Sequence, residues 1–178
     1  MTCATEPITL PEIANAIRAA TEEVFSIMLG IEVAAGEAEM GQAGQNHSGV
    51  VAVLGLTGAW SGSGQLSCDS GLALRIASKL LMADYETVDE EVLDAIAEVA
   101  NMIVGNAKTT LENTLGPMGL SAPAVFYGGD FVTRVVGNPQ MVRVPFTCPE
   151  GSLTVQIVVA PVALWISKHD SLHRDLAH

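Results

Sequence analysis

Basic residues are scarce in this sequence: 8 lysines and arginines face 20 aspartates and glutamates, for a formal net charge of −12. So acidic a surface repels phosphate backbones and anionic lipid headgroups. That argues against a nucleic-acid or membrane partner and favours one that offers a basic group. Cysteine is also sparse. Cys3, Cys68 and Cys148 lie far apart with no CxxC or CxH spacing. Such a scattered, odd set fits reduced thiols in a cytoplasmic protein better than a disulfide framework or a zinc site. Long apolar runs are missing as well. The most apolar stretch, Val155 to Ile166, contains Pro161 and is too short to span a bilayer. The N-terminal MTCATEPITLPEIANAI lacks the basic start and apolar centre of a signal peptide.

What is present points to a folded globular chain. Apolar residues make up 49 % of 178 positions, enough for one well-buried core. No linker-like stretch divides the sequence, which predicts a single domain over 1–178 with a polar tail from about residue 168.

Thr9, Leu10, Pro11 and Glu12 form a capping box with proline in the first turn, and helical periodicity then runs from Ile13 through Met28 to a stop at Gly30. Ile31 to Met40 reads as a strand, and Gly41 to Ser48 as a turn or loop. GVVAVLGLTG and GSGQLSC read as paired strands joined by a WSGSG turn. A second helix is predicted from about Ser70 to Met82. A third follows a capping box at Thr87-Val88-Asp89-Glu90 and continues to about Leu115, before Gly116-Pro117. AVFYG, FVTRVVG, MVRVPFTC and SLTVQIVVAP return to strand patterning, and HDSLHRDLAH reads as a frayed tail or short helix. Helix, strands, two helices, strands is the order of an α+β domain with an antiparallel sheet.

The third helix carries the chemistry. In DAIAEVANMIVGNAKTTLE, at about 100° per residue, Asp94, Glu98 and Asn101 fall within roughly 60° of one another. Gly105, Lys108 and Glu112 continue that stripe, while Leu93, Ile96, Ala100, Ile103, Val104, Ala107 and Leu111 take the other side. Any amphipathic helix has a polar face, so polarity alone says little. Asparagine, however, is a mediocre helix former, and an interior glycine costs about 1 kcal/mol relative to alanine. Their presence on one face suggests a use other than helix stability: a glycine there lets another protein's backbone approach.

The pattern Asp94-x3-Glu98-x2-Asn101, with Pro123 further on, resembles the signature of the CheC/CheX/FliY family of chemotaxis response-regulator phosphatases. FSIMLGIEV, VVAVLGLTG followed by WSGSGQLS, LALRIASKLLM and DEEVLDAIAEVANMIVGNAK are similar to CheX-type segments in the same order, from about Ile13 to Val159. The single intact motif is closer to CheX than to CheC, which usually has two.

The resemblance implies an α+β fold with long helices on an antiparallel sheet. It also implies a homodimer whose sheet continues across the interface, and a CheY-like response regulator as partner. It makes Glu98 and Asn101 the catalytic residues, one pairing with the receiver's lysine and the other orienting a water. Asp94, Gly105 and Lys108 would flank them as partner contacts, and Pro123 would set the turn into the next strand. The chain would hold no metal of its own, with magnesium expected on the receiver. A non-catalytic adaptor or flagellar-switch-associated binding domain is the alternative reading.

Glu12-Ile-Ala-Asn15 echoes Glu98-Val-Ala-Asn101, which makes Glu12 and Asn15 candidates for a degenerate second site. Against it, Glu12 already belongs to a capping box, and Ile8 stands where Asp94 would be matched. NAKTT resembles the end of a Walker A loop but lacks its glycine spacing. His169 and His173 stand at metal-ligand spacing on the tail, and Trp60 reads as a core, edge-strand or interface aromatic.

Overall fold

The sheet is built from alternating residues. In the strand Gln45–Gly58, Val50, Ala52, Leu54 and Leu56 are buried on one face. Val142, Val144 and Phe146 repeat the alternation in Gln140–Cys148, as do Leu153, Val155, Ile157 and Val159 in Gly151–Pro161. A period of two buries every second side chain, and these join one apolar core under the helices. The computed structural model describes residues 8–41 and 44–163. Cys3, the N-terminal segment, the His169/His173 pair and the polar tail lie outside the described residues.

The elements run α1 (Leu10–Val24), β1 (Ala34–Ala35), β2 (Glu39–Met40), β3 (Gln45–Gly58), β4 (Trp60–Cys68), α2 (Ser70–Leu81), α3 (Glu90–Leu115), β5 (Met118–Leu120), β6 (Ala124–Thr133), β7 (Gln140–Cys148) and β8 (Gly151–Pro161). Strands order as β1-β7-β8-β4-β3-β5 in one eight-stranded sheet, with β2 also on β7 and β6 also on β3. The pairings are antiparallel, as an α+β fold of this kind requires.

Helix α1 starts as expected. Glu12 Oε2 accepts from the Thr9 backbone N–H at 2.7 Å, and Thr9 Oγ1 accepts from the Glu12 N–H at 3.4 Å. Its last turn widens into a π-turn over Phe25–Leu29, closed by Gly30 at φ 63°, a left-handed angle that glycine adopts without strain.

Several local expectations are corrected. The predicted strand Ile31–Met40 contracts to two short pairings with β7, Ala34↔Thr147 and Glu39↔Arg143 among them. Gln45 to Ser48 belong to β3 because β6 pairs with Gln45 to His47, Gln45 opposite Thr133 and His47 opposite Phe131, with a shift of register at Ser48. AVFYG and FVT form the one strand β6, and β5 is an additional strand. WSGSG is strand and not turn: Trp60 pairs with Pro161, and the reversal lies just before it at Gly58-Ala59. Trp60 itself is half-buried against the core. Four residues further along β4, Gly64 has a packing role, since a Cβ there would fall 2.4 Å from Val104 Cγ1 of α3. Glycine at this point lets α3 lie directly on the sheet.

Helix α3 is capped by Asp89, whose carboxylate accepts from the Val92 N–H at 3.0 Å, so the box expected at Thr87–Glu90 is not the device used. Its inner side buries Val92, Ile96, Val99, Ile103, Val104 and Leu111 without exposure above 2 %. At roughly 25 cal/mol per Å² of apolar area, each such side chain contributes about 1.5–3 kcal/mol to holding the helix down. Helices α1 and α2 both pack along it, so its orientation, and that of its outer stripe, is fixed from both sides.

Candidate functional site

Asp94 and Glu98 are exposed on α3, and Asn101 is half-buried one turn beyond Glu98. Among the described residues none of these three side chains makes a hydrogen bond, and neither carboxylate has a basic group within ion-pair range. The arrangement is chemically open. An ionised carboxylate offers only acceptors, while an amide offers both a donor and an acceptor and cannot act as a base at neutral pH. Held one turn apart by a rigid helix, the pair can grip a cation with one group and orient a small polar molecule with the other.

Gly105 continues the line. A Cβ built there would meet only Leu120 Cδ2, at 3.7 Å, which is ordinary van der Waals contact. Nothing inside the chain therefore demands glycine at this position.

The stripe ends sooner than its sequence suggests. Lys108 is only 17 % exposed, and its Nζ donates to Glu112 Oε1 at 2.7 Å and to the Met118 carbonyl at 3.0 Å. Glu112 also accepts from the Met118 N–H at 2.8 Å. These bonds pin the end of α3 to β5, and the Lys108 ammonium, followed by the Met118 N–H, holds the Glu112 carboxyl below its ordinary range. Lys108 and Glu112 are thus turned toward the chain, away from the open surface that Asp94 and Glu98 occupy.

Asp94 and Glu98 also line a groove of about 460 Å³, whose opposite wall is Leu80, Leu81 and Tyr85 from the end of α2 and the loop after it. Tyr85 Oη donates to Glu91 Oε2 at 2.6 Å, and that bond to a carboxylate pushes the phenol up to about 12. Helical periodicity in the sequence does not reveal this second wall. Its signal was the run LLMADYE, where two large apolar residues stand at a helix end that glycine would ordinarily close.

The other candidates are arranged differently. Glu12 is engaged by Thr9, which lowers its carboxyl from the usual value, Asn15 is exposed, and Ile8 is buried. Pro123 directly precedes β6. A polar cavity of about 170 Å³ between β3, β4 and β8 includes His47 and Asp69. Both have structural work: Asp69 caps α2 through the Leu72 N–H at 2.8 Å, and His47 Nε2 lies 2.7 Å from Thr133 Oγ1. Burial, with a smaller effect from Arg143, pushes the His47 imidazole down from its ordinary value. Among the described residues no three His, Cys, Asp or Glu side chains converge as metal ligands, and no helix is long and apolar enough to cross a membrane.

An antiparallel sheet under long helices, with an unpaired acid and amide on an outward helix face, forms an open surface and not an enclosed cavity. The family model described as "Chemotaxis phosphatase CheX" matches residues 50–147, more than half of the sequence. The chain belongs to this CheX family. It is 30 % identical over 126 residues to the CheY-P phosphatase CheX of Thermotoga maritima, covering 70 % of this chain and 81 % of that one. Among solved structures, a chemotaxis protein CheX from Desulfovibrio desulfuricans superimposes with a TM-score of 0.76 at 27 % identity, over 84 % of this chain and 99 % of the other. The CheX in the CheX–CheY–BeF3–Mg2+ complex of Borrelia burgdorferi gives 0.69 at 26 % identity, over 83 % and 97 %.

Proposed function

We propose that this protein hydrolyses the aspartyl phosphate of a CheY-like response regulator, acting in the cytoplasm, with Asn101 and Glu98 as its catalytic pair. The observation that carries this reading is the open pair itself: an acid and an amide, one turn apart on a helix fixed by its buried side, with no partner inside the described chain. The family membership supports the same reading, as does the Borrelia complex, in which BeF3 stands in for a phosphoryl group.

An acyl phosphate is labile, so positioning and charge stabilisation carry most of the catalysis. The Asn101 carboxamide, inserted beside the phosphoryl group, accepts a hydrogen bond from a water and fixes its oxygen in line with the bond to be broken. That oxygen bonds to phosphorus as the P–O bond to the receiver's aspartate breaks, releasing inorganic phosphate and a free carboxylate. The Glu98 carboxylate accepts from the receiver's lysine ammonium and sets the depth of insertion. A magnesium ion expected on the receiver supplies charge neutralisation at the phosphoryl oxygens. Asp94 and Gly105 flank the pair as rim contact and clearance. Lys108, bonded to Glu112 and Met118, serves this surface by fixing the helix end.

A homodimer is part of the proposal. β6 pairs with β3 along one edge, while Phe126 and Tyr127 are each 53 % exposed and Val132 is 64 % exposed. A ten-residue edge strand with apolar side chains bare on both faces is a template for a second chain.

The test is the lifetime of a phosphorylated CheY-type receiver with magnesium present. Wild-type protein shortens it and Glu98→Ala mainly raises KM. Receiver binding with no faster phosphate loss would instead favour a non-catalytic adaptor.

A further inference from the structure

We infer that Leu81 and Met82, at the turn between α2 and α3, are the apolar anchor that seats the receiver against Glu98 and Asn101; this rests on the phosphatase reading above. Met82 closes α2 at φ 52° and ψ 41°, in the left-handed region, and is 92 % exposed. Glycine is the residue that this backbone geometry favours, because any Cβ there crowds the following carbonyl. The methionine therefore carries a backbone penalty and leaves its side chain in water. Neither capping nor core packing accounts for it, and a contact outside the chain does.

Its surroundings say what kind of contact. Leu81, 43 % exposed, lines the same groove as Asp94 and Glu98. The phenol of Tyr85 occupies Glu91, which leaves Asp94 and Glu98 as the carboxylates available at this rim. One wall is apolar and the other acidic. The complementary partner presents an apolar side chain beside a basic group, and a receiver that brings a lysine to Glu98 brings the basic half of that pair to this rim. The apolar half then falls on Leu81, which lines the groove with Asp94 and Glu98, and on Met82, the next residue along the chain. Methionine suits the task because its unbranched, polarisable side chain adapts to a partner's surface.

Met82→Gly gives an informative test, since it relieves the backbone and removes only the exposed side chain. Its melting temperature should equal or exceed that of wild type. KM for a phosphorylated CheY-type receiver, and Kd for the same receiver loaded with beryllofluoride and magnesium, should each rise about tenfold, with kcat held within about twofold. Met82→Leu should restore both constants to near wild type. Unchanged KM and Kd in a folded Met82→Gly protein would overturn the assignment. So would a fall in its solution mass, which would make the occupant a second copy of this chain. If Asn101→Ala loses turnover while Met82→Gly behaves as wild type, the phosphatase reading stands and the anchor falls. If wild type shortens no receiver's phosphate lifetime, both fall.

Discussion

Gly105 separates stability from use within a single residue. Its intended Cβ position is vacant apart from a Leu120 methyl at 3.7 Å, so alanine fits without repacking. By helix propensity alone, Gly105→Ala should raise stability by about 0.5–1 kcal/mol, measured by urea denaturation. On the proposed surface the same methyl stands where the receiver's backbone approaches, so affinity for a beryllofluoride-loaded receiver should fall as stability rises. A variant that gains stability and keeps full affinity would show that Gly105 gives no clearance. The placement of Glu98 and Asn101 on one side of α3 is legible in the sequence because the helix is regular: a fixed angle per residue sets it wherever the sheet lies. That of Lys108 is not, because its direction depends on Met118, a residue ten positions on that the chain reversal brings back.

At the scale of elements, what sets the site is how closely α3 approaches β4. Gly64 faces Val104, and the 2.4 Å separation of a built Cβ from Val104 Cγ1 leaves no room for a methyl between two buried backbones. Gly64→Ala should cost about 1–3 kcal/mol by overpacking. Adding Val104→Ala should recover part of that loss, so the double-mutant cycle gives a clear non-additive term. Strict additivity in equilibrium denaturation would mean that the contact does not set the helix height. The sequence shows the three helices and the strands β3, β4, β7 and β8 through their periodicity. It hides the role of WSGSG: a glycine needed for close approach and a glycine needed for a turn look alike until the partner element is known. Gln45 to Ser48 read as loop for a related reason. Their strand character comes from pairing with β6, some eighty residues later, and not from local propensity.

For the whole molecule, a net charge of −12 and an uncovered apolar edge act in opposite directions. Charge of one sign keeps chains apart, so an edge strand that is both long and apolar persists only if it is covered. Light scattering should give a particle of about twice the 18.5 kDa chain mass. Phe126→Lys combined with Val132→Lys should halve that mass without loss of secondary structure by circular dichroism. A monomeric wild type would rule out the dimer and leave the proposed catalytic face unaffected.

The central claim is that Asn101 orients the attacking water while the rest of the surface binds, and one pairing of measurements isolates it: single-turnover phosphate loss from a phosphorylated CheY-type receiver, beside affinity for its beryllofluoride form, for wild type and Asn101→Ala. Asn101→Ala should keep its affinity within about threefold and lose roughly 10²-fold or more in rate, the scale seen when one positioned catalytic group is removed. An Asn101→Ala protein that binds the receiver and still hydrolyses its phosphate at the wild-type rate would contradict the central claim.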